Sequence, residues 1–251
     1  MPIANSYKPP CVDSIDIYQK NPFDVNCNIP VPTILETNRV KLIPFIPSLH
    51  GEPFINAFNT DPNMGRYLPV SFPTVVDFLT LHETFIRSDP GSVWFTIIDK
   101  TKPDHDNNLG ESVAGVIGVL HSSPVHRTIE IGPVMVLPAF QRTFVSSNAI
   151  GLLLNYLLDT QKEGGLGFRR VVWCTNPFNE PSVRAAERLG FVKEGTMRWS
   201  WILPTDKKGH TIEEGSERGE GDGRDSVVLA ICWDNWEDGV KAHVKMAMDR
   251  V

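Results

Sequence analysis

The chain has no uninterrupted apolar stretch near the ~20 residues that a membrane-crossing helix needs, so no membrane partner is expected for its 251 residues. Its N-terminus, Met1-Pro2-Ile3-Ala4-Asn5-Ser6, lacks a basic start followed by an apolar core, and no secretory signal is expected there. Cysteine is scarce. Cys11, Cys27, Cys174 and Cys232 stand far apart, with no CxxC and no His-pair spacing. That argues against a metal or disulfide framework and for reduced thiols in the cytoplasm. Positive charge is in the minority: 24 Lys and Arg against 30 Asp and Glu leave a net charge of −6. This is the wrong sign for a protein whose main partner is nucleic acid. No internal repeat is present, and the one compositionally odd block is Gly-rich and acidic, from Thr205 to Arg224.

What is present is an ordinary globular composition, 41% hydrophobic and 22% charged, in a chain long enough for one large domain or two small ones. The stretch from Arg127 to Leu158 organises the rest. Thr128 to Leu137 is β-branched and apolar, which predicts a buried strand, and Pro138 ends it. From Val145 to Asp159, apolar residues fall at three- and four-residue spacing and predict a helix burying one face. Between them lies the polar, basic turn Gln141-Arg142-Thr143-Phe144-Val145-Ser146-Ser147. A strand, a short polar turn and a helix start present free backbone N–H groups suited to a phosphate.

Around that centre, further strands are predicted at Arg39–Phe45, Val93–Asp99, Ala114–His121, Arg169–Cys174, Phe191–Ile202 and Ser226–Trp233. Helices are predicted at Pro47–Asn59 (one or two), Thr74–Ser88, Pro181–Leu189 and Trp236–Val251. Gly190 suits a left-handed position just past a helix end. The order predicts an α/β mixed sheet of about seven mostly antiparallel strands, with a central parallel pair and flanking helices. Residues 1–36, proline-bearing and without periodicity, read as an extended arm on a domain spanning 37–251, with 205–224 as a flexible acidic loop.

Three segments resemble the GNAT superfamily of acyl-CoA-dependent N-acetyltransferases. They are Glu130-Ile131-Gly132; Phe140-Gln141-Arg142-Thr143 leading into Leu152-Leu153-Leu154; and Asn179-x-x-Ser182-x-x-Ala185-Ala186-Glu187-Arg188-Leu189-Gly190-Phe191, continuing to Glu194-Gly195 and Arg198. The branch they resemble is that of the ribosomal-protein acetyltransferases RimJ and RimL. Gly223-Arg224-Asp225-Ser226 before an apolar strand also resembles the end of such domains. The likeness spans roughly residues 37–245. One departure stands out: the superfamily's pyrophosphate turn carries glycines, and this turn has none, so the backbone has less freedom to approach a phosphate.

The resemblance implies acetyl-CoA as donor and a GNAT-like fold. Backbone groups of Val134, Met135 and Val136 would hold the pantetheine arm, one N–H serving the oxyanion. The turn from Gln141 to Ser147 would seat the diphosphate, with Arg142 supplying charge and Thr143, Ser146 and Ser147 hydroxyl donors, beside the backbone of Val145. Asn179 and Ser182 would sit beside the cofactor, Ser182 near the sulfur. Many relatives carry a tyrosine where this chain has Ala186, so Ser182 is the candidate for protonating the departing thiolate. Asn179 also reads simply as a helix N-cap, with Pro181 in the first turn.

Acetyl transfer to an amine needs a neutral amine, and an alkylamine near pKa ~10 is protonated at neutral pH. Glu130, opposed in direction to its neighbours Ile129 and Ile131 on the central strand, is either the base that removes that proton or a carboxylate paired across the sheet. Trp94, Trp199 and Trp201 either line an acceptor pocket or pack the sheet. His82 reads as a core histidine, His121 and His126 as residues framing a turn, and Cys174 as a small apolar residue. The acceptor is then a small-molecule amine or a peptide N-terminus, the protein a monomer or homodimer. A catalytically silent acyl-CoA-binding or scaffold domain of the same fold is the alternative. A P-loop reading fails because no lysine follows the turn in the required place.

Overall fold

A computed structural model of the protein describes residues 22–103 and 112–250. Residues 1–21 of the expected arm and 104–111 of the expected hairpin loop lie outside that range. Eight strands form one mixed sheet: β1 (Leu35–Glu36), β2 (Val40–Pro44), β3 (Val93–Asp99), β4 (Ser112–Ser123), β5 (Thr128–Val136), β6 (Arg170–Thr175), β7 (Val192–Ile202) and β8 (Gly223–Cys232). Their spatial order is β1-β2-β3-β4-β5-β6-β8-β7. Every neighbouring pair is antiparallel except β5 and β6, which run parallel. The central parallel pair follows from the crossover helix between them, as a connection of that kind requires.

The eighth strand is the two-residue β1, inside the segment read from sequence as arm. Leu35 and Glu36 pair with Leu42 and Lys41, a partnership too short for periodicity to reveal. The preceding residues are tied down as well. Asn28 donates its backbone N–H to Pro90 O at 2.7 Å and its amide to Ser122 O at 3.1 Å, and the Tyr156 hydroxyl donates to Pro30 O at 2.7 Å.

Helices cover both faces. α1 (Pro47–Phe58) runs unbroken through Pro53. α2 (Val75–Leu81) starts on a Thr74–Asp77 capping box and continues as a wider-wound turn, His82–Arg87. On this face Phe78 stacks on Trp94, 5.5 Å between centroids, and meets Phe45 edge-on at 5.8 Å. The opposite face carries α3 (Phe144–Leu158) and α4 (Glu180–Arg188). The terminal helix Lys241–Asp249 packs against α3, where a Cβ on Gly151 would collide with the Met248 side chain and press on Val244 Cγ1. Gly190, with φ +93°, ends α4 in the expected left-handed conformation, and a Cβ there would meet Val240 Cγ1 at 2.7 Å.

Candidate active site

The parallel ladder between β5 and β6 holds for only three pairs, Thr128 with Arg170, Ile129 with Val171 and Glu130 with Val172. Beyond Glu130 both strands continue, yet they no longer pair with each other. Two features push them apart. β5 carries one extra residue against β4 between Ile131 and Val134, where the cis Gly132–Pro133 peptide lies; a bulge of this kind bends its strand. β6, meanwhile, stays paired to β8 as far as Thr175. The split opens a cleft of about 210 Å³ through the sheet, lined by Ile131–Met135 on one side and Trp173–Thr175 on the other. Ladder groups left without a partner in such a split seek another one.

Register puts a polar cluster on the α1–α2 face of this cleft. Glu130 is paired with Val172, Cys174 stands two residues on and pairs with Val228, and Ser226 and Arg224 follow at two-residue steps along β8. Side chains two apart on a strand share a face. His121, at φ +52° on β4, places Nδ1 3.5 Å from Glu130 Oε2, and the bond to Glu130 holds its pKa above the ordinary 6.5. Burial, reinforced by the neighbouring Glu130, pushes the Cys174 thiol up to about 12, so it is no thiolate at neutral pH. Arg224 is 7% exposed, and burial draws its guanidinium below the usual range, opposed by the nearby Cys174 and Glu130.

Arg224 is the site residue that a reading of the sequence misses. Composition places it in the exposed loop ending at residue 224, but β8 starts at Gly223 and takes Arg224 into the sheet opposite Trp201. The signal lies in the alternation Arg224, Ser226, Val228, which the glycines just upstream obscure. Of the three tryptophans, Trp94 and Trp201 line the cleft. Trp94 is also core, stacked on Phe78, and its buried Nε1–H has no partner among the described residues. Trp199 does not line the cleft: it lies over Gly223, whose missing Cβ it needs, and is half exposed. His82 is buried, with a pKa pushed down to about 4 by that burial.

On the α3–α4 face, Asn179 caps α4, its Oδ1 accepting from the Ser182 backbone N–H at 3.3 Å. The Ser182 hydroxyl accepts the Trp173 indole N–H at 3.0 Å. Both residues line the cleft. The turn before α3 is more occupied than its sequence suggests. Thr143 Oγ1 donates to Phe140 O at 2.6 Å and accepts from Val145 N–H at 3.3 Å, while the Val145 side chain is fully buried. Ser147 Oγ donates to Phe144 O at 3.0 Å, and the Gln141 amide donates to Val136 O at 3.1 Å. Arg142 is exposed at φ +59°, and Ser146 is half-buried in the first turn of the helix. Two cations with no signature in the sequence flank this start: Lys102 over the Phe140 ring and Arg39 over the Phe144 ring, each 4.4 Å from the centroid.

The sheet thus splits at its one parallel pair, with the start of α4 on one side of the split and the carboxylate of Glu130 on the other. Residues 39–192, more than half of the chain, match the model of the acetyltransferase (GNAT) domain, and the chain belongs to that family as an N-acetyltransferase. Among solved structures, it is similar to a GCN5-related N-acetyltransferase from Brucella melitensis, at 25% identity and TM-score 0.68, over 87% of this chain and 86% of the other. It shares its fold with Mycobacterium smegmatis RimJ in complex with CoA-disulfide (15% identity, TM-score 0.59, 83% and 88% covered). It also shares it with the Vibrio cholerae spermidine N-acetyltransferase in complex with CoA and spermine (15%, 0.56, 80% and 99%). No curated protein sequence matches the chain.

Proposed function

We propose that the protein moves the acetyl group of acetyl-CoA directly onto a small primary amine, donor and acceptor being bound together. The observation that carries this reading is the parting of β5 and β6 just after Glu130, which leaves a carboxylate beside a passage through the sheet. The residues on the α3–α4 side fit a thin donor carrying phosphates. The unpaired edge of β5 from Val134 to Val136 offers ladder groups to an extended amide-bearing arm. The first turn of α3 offers the N–H groups that Thr143 leaves open, with Arg142 and Ser146 alongside. Acetyl-CoA, when bound, supplies an activated thioester.

On the α1–α2 side, Glu130 takes the proton of the incoming ammonium so that a neutral amine faces the donor. Ser182, whose oxygen is engaged by Trp173, gives its proton to the departing sulfur and recovers one from the nitrogen as the amide forms. We read the transfer as direct, and the Cys174 thiol lining the cleft, whose pKa burial raises, is poorly suited to carry the acetyl group in between. Kinship with the RimJ and RimL branch rests on the string from Asn179 to Phe191. The acceptor itself is read from the cleft, whose narrow, aromatic-walled interior suits a small molecule rather than a folded protein's terminus.

Thiol release from acetyl-CoA over a panel of amines tests the reading. Turnover that saturates in both substrates, with intersecting double-reciprocal lines, is expected. Parallel lines would point to a covalent enzyme form, and tight coenzyme A binding without thiol release for any amine would make the protein a silent acyl-CoA-binding module.

A further inference from the structure

Arg224 is more than nine-tenths buried and lines the cleft on the acceptor face. Its guanidinium makes no hydrogen bond or salt bridge among the described residues, and its Nε is buried without any partner there. A guanidinium is donor-only, with five N–H groups. Burying such a cation unpaired costs far more than burying it against an anion. Glu130 is near enough to be felt electrostatically, yet it does not pair with Arg224; its own partners are His121, at 3.5 Å, and the Cys174 thiol. Ser226, next along β8, already meets the Ser200 hydroxyl at 2.8 Å. The cleft therefore holds a negative group at Glu130 and, across Cys174, a cation still lacking its anion.

We infer that the acceptor is an amine that also bears a carboxylate, an amino acid with an apolar side chain, whose carboxylate is held by Arg224 while its amine faces Glu130. This rests on the reading of the cleft as the acceptor site. A guanidinium binds a carboxylate through two parallel N–H bonds, the strongest fixed geometry available to it. The separated charges of Glu130 and Arg224 complement a zwitterion. The remaining walls, Val70, Phe72, Leu81, Phe85 and Trp94, are apolar or aromatic and accommodate an apolar side chain. The same arrangement disfavours two other amines. A polyamine would bring a second cation towards Arg224, and the first residue of a protein chain has its carboxyl locked in a peptide bond.

The test compares acceptors differing only in the carboxylate: leucine against 3-methylbutylamine and leucinamide, and phenylalanine against 2-phenylethylamine. Thiol release gives kcat/KM for each with wild type, Arg224→Gln and Arg224→Lys. A site built around a buried donor rejects the analogue lacking the acceptor by about 10²-fold or more. That preference is expected in wild type, nearly abolished in Arg224→Gln and partly kept in Arg224→Lys. In parallel, calorimetry in the presence of coenzyme A compares N-acetylleucine with N-acetyl-3-methylbutylamine, a measurement that needs no turnover. Binding of N-acetylleucine alone, lost in Arg224→Gln, supports the inference even if no amine releases thiol, in which case acetyl transfer is what fails. Wild type that uses the decarboxylated amines as well as the amino acids leaves acetyl transfer standing and overturns the carboxylate site. So does an Arg224→Gln variant that loses the same factor on every acceptor, since Arg224 would then serve only Glu130 or the fold.

Discussion

His121 Nδ1 sits 3.5 Å from Glu130 Oε2 across the β4–β5 pair, on the rim of the split between β5 and β6. The contact holds the carboxylate of Glu130 beside the cleft proposed to take the amine, and leaves the imidazole, mostly exposed, in reach of solvent. A proton accepted by Glu130 thus has a neighbouring group through which to leave. If Glu130 is the base, Glu130→Gln keeps the shape of the site and removes the proton acceptor. We expect kcat to fall by about 10²-fold at neutral pH, with KM for acetyl-CoA little changed. A variant as active as wild type from pH ~6 to ~9, the range over which an amine acceptor's base must work, would end the assignment.

The same pair gives a pH dependence to stability. Glu130 raises the pKa of His121 above 6.5 in the folded protein. The interaction is therefore fully present below the unfolded value of about 6.5 and is lost as pH rises through the higher folded value. His121→Ala should cost more stability near pH ~6 than near pH ~9. Urea midpoints at the two pH values check this, and an equal difference at both would show that the ion pair contributes nothing. The effect should be modest and salt-sensitive, because the histidine is largely exposed.

The elements are legible in the sequence where the local chemistry is one-sided. Pro138 closes the central strand, Thr74 opens α2 and Gly190 closes α4, each by a backbone rule that tertiary contacts do not override. Strand order is not legible in the same way. β8 inserts between β6 and β7, and nothing in the alternation of Val192–Ile202 or of Gly223–Cys232 says which of the two is the edge. Nor does periodicity detect β1, which is two residues long. At the site, its place on the central strand points to Glu130, while Asn179 and Ser182 come from the resemblance to GNAT domains; all three line the cleft. The partnership of Ser182 with Trp173, the isolation of Arg224 and the position of Trp199 over Gly223 depend on distances between residues brought together only by the folded sheet.

Gly118 is where the core meets the cleft. It pairs with Trp94, and a Cβ there would collide with Trp94 Cδ1 and stand 2.9 Å from the carbonyl oxygens of Gly132 and Val93. Two of the three obstacles are backbone, so relaxation must move β3 or β5. Gly118→Ala should destabilise the fold by roughly 1–3 kcal/mol, as overpacking does, and displace the indole that walls the cleft. Gly195, on β7, is the control, because a Cβ added there would meet nothing within 4 Å. Gly195→Ala should leave the thermal midpoint unchanged or slightly raised. Equal effects of the two substitutions would refute the packing argument.

Ser182 and Asn179 separate chemistry from capping. The cap on α4 runs from the Asn179 side chain to the backbone N–H of Ser182, so it survives loss of the serine hydroxyl. The hydroxyl oxygen accepts from the Trp173 indole, and an indole can only donate; the serine proton must point elsewhere, and the cleft is the space next to it. A thiol with pKa of about 8.5 departs without a strong acid, so the proton's worth is limited. Asn179→Ala should cost about 1 kcal/mol of stability. Ser182→Ala should lower kcat by no more than about tenfold, and Trp173→Phe, which frees the oxygen but leaves the proton, should lower it less. A Trp173→Phe loss equal to that of Ser182→Ala would mean that the serine acts by holding the indole in place, and not by giving up its proton.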